Sequence, residues 1–123
     1  MVSMARNIAK RPIHVEGTYD NIFAALGRAD AEDLLAKAEL ARALRRIVRE
    51  RGLTQAGAAE ILHVGQPEVS DVVRGRLAGF SLERLSRLLT GLGQDVRIVV
   101  QPKPASRKTA TVRALVRRVR GAV

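Results

Sequence analysis

The sequence has no cysteine and no tryptophan, one tyrosine and two phenylalanines. The lack of cysteine excludes disulfides and thiolate metal sites and fits a reducing cytosol. With so few aromatics the core must be built from Leu, Val, Ile and Ala, which suits packed helices. Long apolar runs are also missing. No stretch approaches the ~18 residues of a membrane span, so no membrane partner is expected. Arg6, Lys10 and Arg11 are not followed by an apolar segment, which argues against a secretory signal. The expected location is cytoplasmic, at the nucleoid. No phosphate-binding glycine loop and no H-E-x-x-H pattern is present, and His14 and His63 lie far apart without ligand partners. The expectation is therefore a non-enzyme with no cofactor and no metal.

Acid is scarce as well. Twelve Asp and Glu stand against 22 Lys and Arg, for a net charge of +10. The excess is uneven: beyond Gln101, Lys103, Arg107, Lys108, Arg113, Arg117, Arg118 and Arg120 meet no acid at all. A mildly basic body with a strongly basic tail favours a polyanionic partner.

What is present reads as one small domain with tails: an N-terminal arm over 1–19, a domain over 20–101 and a basic tail over 102–123. In the arm, Ile13-His14-Val15 could form a short strand given an edge to pair with. Residues 19–27 read as a short helix or turn with Ile22, Phe23 and Leu26 inward. Asp30 can cap a long helix over about 31–51. Glu32 and Asp33 complement the dipole at its start, Leu40, Leu44, Ile47 and Val48 form its core face, and Gly52 ends it.

Two short helices follow, joined by a tight turn. Thr54 is placed to cap the first, whose inner face is Ala58, Ala59 and Leu62. His63-Val64-Gly65 makes the turn, with Val64 as a buried plug. In the second helix Val69, Val72 and Val73 fall at i, i+3, i+4, the spacing of a buried face. Gln66, Pro67, Ser70, Asp71 and Arg74 fall on the other side. A helix that shows amide, hydroxyl and charge outward from an apolar anchor has what it needs to read base edges in a DNA major groove.

Ser81 can cap a further helix to about Leu92, with Phe80 and Leu85 as a hydrophobic staple and Leu82, Leu85, Leu89 and Leu92 as its inner stripe. The period then changes to two: Val96, Ile98 and Val100 alternate with Arg97, Val99 and Gln101, which predicts a strand over 95–101. Its partner is either the N-terminal arm or the same strand of a second subunit. Pro102-Lys103-Pro104 is a semi-rigid linker. In the tail Val112, Leu115, Val116, Val119 and Val123 would share one helical face. The segment is either a disordered DNA-clinging tail or an amphipathic helix that folds on docking, with a membrane-surface helix a weaker alternative.

Leu53-Thr54-Gln55, Ala59, Leu62, Val64, Gln66-Pro67-Glu68-Val69-Ser70 and Gly75 resemble the helix-turn-helix of the lambda repressor/Cro-like (XRE) regulators. The Asn21-x-Phe23-x-x-Leu26-Gly27 element and the segment after it are similar to the opening of HigA-type antitoxins. The sequence departs from the pattern at His63, where the family usually has Gly, and at Gly57, where it often has Glu. A left-handed backbone is expected at His63.

The resemblance implies an all-α, lambda-repressor-like helix-turn-helix bundle of about five helices, with one C-terminal β-strand and a basic C-terminal tail. It also implies a homodimer through residues 95–101, suited to a palindromic operator. Base readout would fall on Gln66, whose amide can bind adenine bidentately, and on Pro67, Glu68, Ser70 and Asp71. Arg74 and Arg76 are placed for phosphate. Gln55 resembles the residue that in this family binds phosphate and braces the first glutamine. Ser81 adds an anion-friendly helix N-terminus. The bland alternative for each is a solvated surface residue.

Two functional readings follow. The first is a sequence-specific repressor, with a HigBA-like antitoxin role and a RelE-like toxin partner as one form of it. The second is a nucleoid-associated or RNA-binding protein dominated by its tail. An interaction module whose tail binds a protein stands behind both.

Overall fold

The computed structural model describes residues 28–117 of the chain. Four helices follow one another: α1 (Arg28–Glu50), α2 (Gln55–Leu62), α3 (Gln66–Val73) and α4 (Leu82–Gly91). Helix α1 packs against α3 and α4, and α2 packs against α3 and α4.

The core forms where the apolar faces meet. Leu44, Ile47 and Val48 of α1, Ala58 and Ala59 of α2, Val69 and Val72 of α3, and Leu85, Leu88, Leu89 and Leu92 of α4 and its C-cap are buried, together with Leu77 and Phe80 of the α3–α4 loop. These are the expected faces, with two adjustments. Leu82 is only half-buried, and Leu88 takes its place in the stripe. Leu40, Leu62, Val64 and Val73 lie partly buried at the margin of the cluster. No polar or charged residue is buried as a whole among the described residues; one polar atom, Arg46 Nε, is buried without a hydrogen bond and lies 3.9 Å from Glu50 Oε1.

All four helices end the same way. After α1, the Leu53 N–H donates to Val48 O at 3.0 Å and Gly52 N–H donates to Arg49 O at 3.0 Å, with Gly52 at φ +63°. After α2, Val64 donates to Ala59 O at 3.1 Å and His63 to Glu60 O at 3.3 Å. After α3, Arg76 donates to Asp71 O at 2.7 Å and Gly75 to Val72 O at 3.1 Å; after α4, Gln94 donates to Leu89 O at 3.0 Å and Gly93 to Thr90 O at 2.9 Å. This double bond pattern, closing on a left-handed residue, is the Schellman motif. Glycine supplies the left-handed residue three times and His63, at φ 56° and ψ 43°, the fourth.

Several expectations need correction. Helix α1 starts at Arg28, so Asp30 lies inside its first turn as a dipole complement and is not its cap. The described residues contain four helices; the fifth expected helix, over 19–27, lies outside them, as do the arm and its Ile13–Val15 strand. The strand expected over 95–101 does not form. The segment has no regular secondary structure, and Ile98, Val99 and Val100 are 89%, 74% and 93% exposed. A strand exists only by pairing, and among the described residues nothing offers this segment a ladder. Residues 112–117 are likewise not helical, and among the described residues their short apolar row packs on no partner that would offset the cost of helix nucleation. The tail instead turns at 104–107, where Arg107 N–H donates to Pro104 O at 3.1 Å. Farther on, the Val112 N–H donates to Glu32 Oε2 at 3.2 Å.

Candidate nucleic-acid interface

Helix α2 is set by its ends. The Thr54 hydroxyl accepts the Gly57 N–H at 2.9 Å, as the capping reading requires. Gly57 supplies only its backbone, so the reciprocal half of a capping box is missing. At the other end His63 turns the chain, and Gly65, with extended backbone, opens α3 without a side-chain cap. Pro67 sits in the first turn of α3, where its missing N–H costs nothing.

Helix α3 keeps one face in the core. Val69 and Val72, each 1% exposed, hold it to the core. Gln66 and Pro67 at its N-terminus are exposed, Glu68, Ser70 and Asp71 are half-buried, and Arg74 and Arg76 beyond its end are exposed. An exposed amide at the leading end of a helix anchored by its apolar face is the arrangement that major-groove reading needs. Gln55 opens α2 and is half-buried. No hydrogen bond joins Gln55 to Gln66 among the described residues, so the bracing that the resemblance implied is absent from the free chain.

The acids of α3 are not idle. Asp71 lies 4.0 Å from the Arg76 guanidinium, so one expected base contact and one expected phosphate contact face each other. Glu68 Oε2 accepts a hydrogen bond from Arg84 Nη2, on the first turn of α4. The Arg84 guanidinium carbon stands 5.0 Å from the centroid of the buried Phe80 ring, within cation–π range. Ser81 is exposed and its hydroxyl accepts the Arg84 backbone N–H at 3.0 Å, so Ser81 is the N-cap of α4, and its O–H keeps its capacity to donate.

Sequence reasoning missed Arg84 altogether. It lies 16 residues from Glu68, beyond any helical spacing, and only the fold brings the two together. Arg51 is a second such residue: its Nη2 donates to Leu92 O at 2.6 Å and ties the end of α1 to the end of α4. A cation on the last carbonyls of a helix also meets the negative end of its dipole.

A family described as a helix-turn-helix domain matches residues 22–101. Among solved structures, one named "Putative XRE Family Transcriptional Regulator" is 44% identical and superposes with a TM-score of 0.68 over 71% of this chain and 98% of that chain. No curated protein matches the chain. The matched span includes all four helices, the exposed α3 and the Schellman turn at His63, and on this agreement of sequence and geometry the chain belongs to the helix-turn-helix domain family, of the XRE type.

Proposed function

We propose that the protein is a sequence-specific DNA-binding transcriptional regulator, a repressor that binds an inverted-repeat operator as a homodimer. The observation that carries the reading is α3. Its apolar side is locked into the core by Val69 and Val72, while Gln66 and Pro67 stand free at its leading end. In this reading Gln66 pairs with an adenine edge, Pro67 meets a thymine methyl, and Arg74 and Gln55 hold phosphates. The dimer forms through 95–101, where three consecutive exposed apolar residues (Ile98, Val99, Val100) lack any cover among the described residues. The chemistry is recognition: no catalytic step, cofactor or metal enters it, and the site of action is the nucleoid.

The test is selection of bound duplexes from a random DNA pool at ~0.15 M salt, with the full chain and with residues 1–101. An enriched inverted repeat common to both supports a dimeric regulator whose code lies around Gln66. Tight binding by the full chain without any enrichment would overturn it.

That second outcome belongs to the alternative, a nucleoid-associated or RNA-binding protein led by its tail. One observation favours it: Lys103, Lys108, Arg113 and Arg117 are exposed on a segment without regular secondary structure. The HigA-like form of the first reading adds a RelE-like ribonuclease as partner. Stable co-purification with a small basic protein encoded beside this one would support it, and free recovery of this chain would remove it.

A further inference from the structure

The polar face of α3 carries a contradiction. Glu68 stands on the helix that would enter a groove walled by phosphates, and a bare carboxylate there repels the ligand. The structure pairs it: Arg84, from the first turn of α4, hydrogen-bonds Glu68 Oε2 and lies over the Phe80 ring at 5.0 Å. Phe80 is buried and Ser81 caps the turn on which Arg84 sits. The guanidinium is therefore placed at its face by the ring and at its fork by the carboxylate, while the cap fixes the backbone that carries it. The other ionic groups on that turn are already paired with each other, Glu83 with Arg87 at 2.7 Å.

We infer that Arg84 is a positioning residue for DNA recognition, which neutralises the Glu68 carboxylate and holds it against α4, and that Glu68 is therefore not a base reader. The inference rests on the DNA-binding reading of α3 and deepens it. Neither partner reads sequence. Arg84 keeps an anion out of the groove, and the pairing fixes α3 to α4 at the end where Gln66 projects. The pair is about two-fifths exposed on each side, so its worth in the free chain is small. Its effect is concentrated in the complex, where an unpaired carboxylate would face phosphates at short range.

A double-mutant cycle tests this. Binding is measured for the full chain and for Arg84→Gln, Glu68→Gln and the double variant on a random-sequence duplex and on the duplex enriched by the parent chain. Thermal midpoints of the free proteins are recorded alongside. Arg84→Gln should weaken binding about 5-fold on both duplexes, because the freed carboxylate repels phosphate, and the loss should shrink at high salt. Glu68→Gln should strengthen binding about 2-fold by freeing the guanidinium. The double variant should recover most of the loss.

Three results would overturn the inference. If Glu68→Gln weakens binding on the enriched duplex alone, Glu68 reads a base. If the double variant stays as weak as Arg84→Gln, Arg84 is a plain phosphate contact. If both single variants lose binding in proportion to a lowered thermal midpoint, the pair is only structural. The random-sequence duplex keeps the test separate from the operator reading, since every duplex carries the phosphates that Glu68 would repel.

Discussion

At the scale of single residues, two positions carry most of the argument. His63 occupies the left-handed corner between α2 and α3 at φ 56°, where the other three helix ends use glycine. A side chain in that region costs roughly 1–2 kcal/mol, against which glycine brings more freedom in the unfolded chain. His63→Gly should thus raise stability by about 0.5–1 kcal/mol, and the thermal midpoint by a few degrees; a lowered midpoint would mean that the imidazole makes a stabilising contact. Gln66 is the second. Replacing it with alanine should cost about 1–3 kcal/mol at the selected site and relax preference at one base, with little effect on random DNA. An equal loss on both duplexes would make Gln66 a backbone contact. Both positions were legible in the sequence, His63 from a turn pattern that wants positive φ and Gln66 from its place opposite the valine stripe. Glu68 and Asp71 were legible only as polar and outward, since their partners, Arg84 and Arg76, sit at spacings that no helical periodicity links.

At the scale of elements, local chemistry set what the sequence could reveal. Thr54, Ser81, Gly52, Gly75 and Gly93 each do at a helix boundary what their residue type predicts, because caps and left-handed turns involve only near neighbours. The long helix begins earlier than Asp30 suggested because an acid in a first turn and an acid at a cap look alike in sequence. The segment 95–101 shows the opposite limit: alternation reports a preference for pairing but cannot supply the partner. The caps allow a direct test. Thr54→Ala removes the oxygen that accepts the Gly57 N–H and should cost about 1 kcal/mol. The cost falls on an eight-residue helix that also sets the base of α3. Far-UV circular dichroism during thermal unfolding should show an earlier single transition, and Thr54→Ser should recover most of the loss. An unchanged midpoint would show that water satisfies the Gly57 N–H as well as the hydroxyl does.

At the scale of the whole molecule, the body and the tail divide the work of binding differently. In the proposed reading the body contacts bases from one exposed helix end, and such a contact gives discrimination more than affinity. The tail bears cations on residues without regular secondary structure, and the Val112 N–H to Glu32 contact leads it back past the start of α1. Each tail cation that meets a phosphate releases a counterion and should steepen the dependence of log K on log salt by about 0.9. Removing 102–123 should consequently weaken binding to every duplex, flatten that slope by several units and leave the ranking of sequences unchanged. The same truncation keeps 95–101, so the proposed dimer should survive it, whereas Ile98→Asp in the full chain should abolish that dimer in sedimentation because a carboxylate cannot be buried unpaired in an apolar interface. If truncation instead dissolved the dimer, the tail would be packing on a second copy, and if it dissolved the fold, on its own body; in either case the tail would be structural.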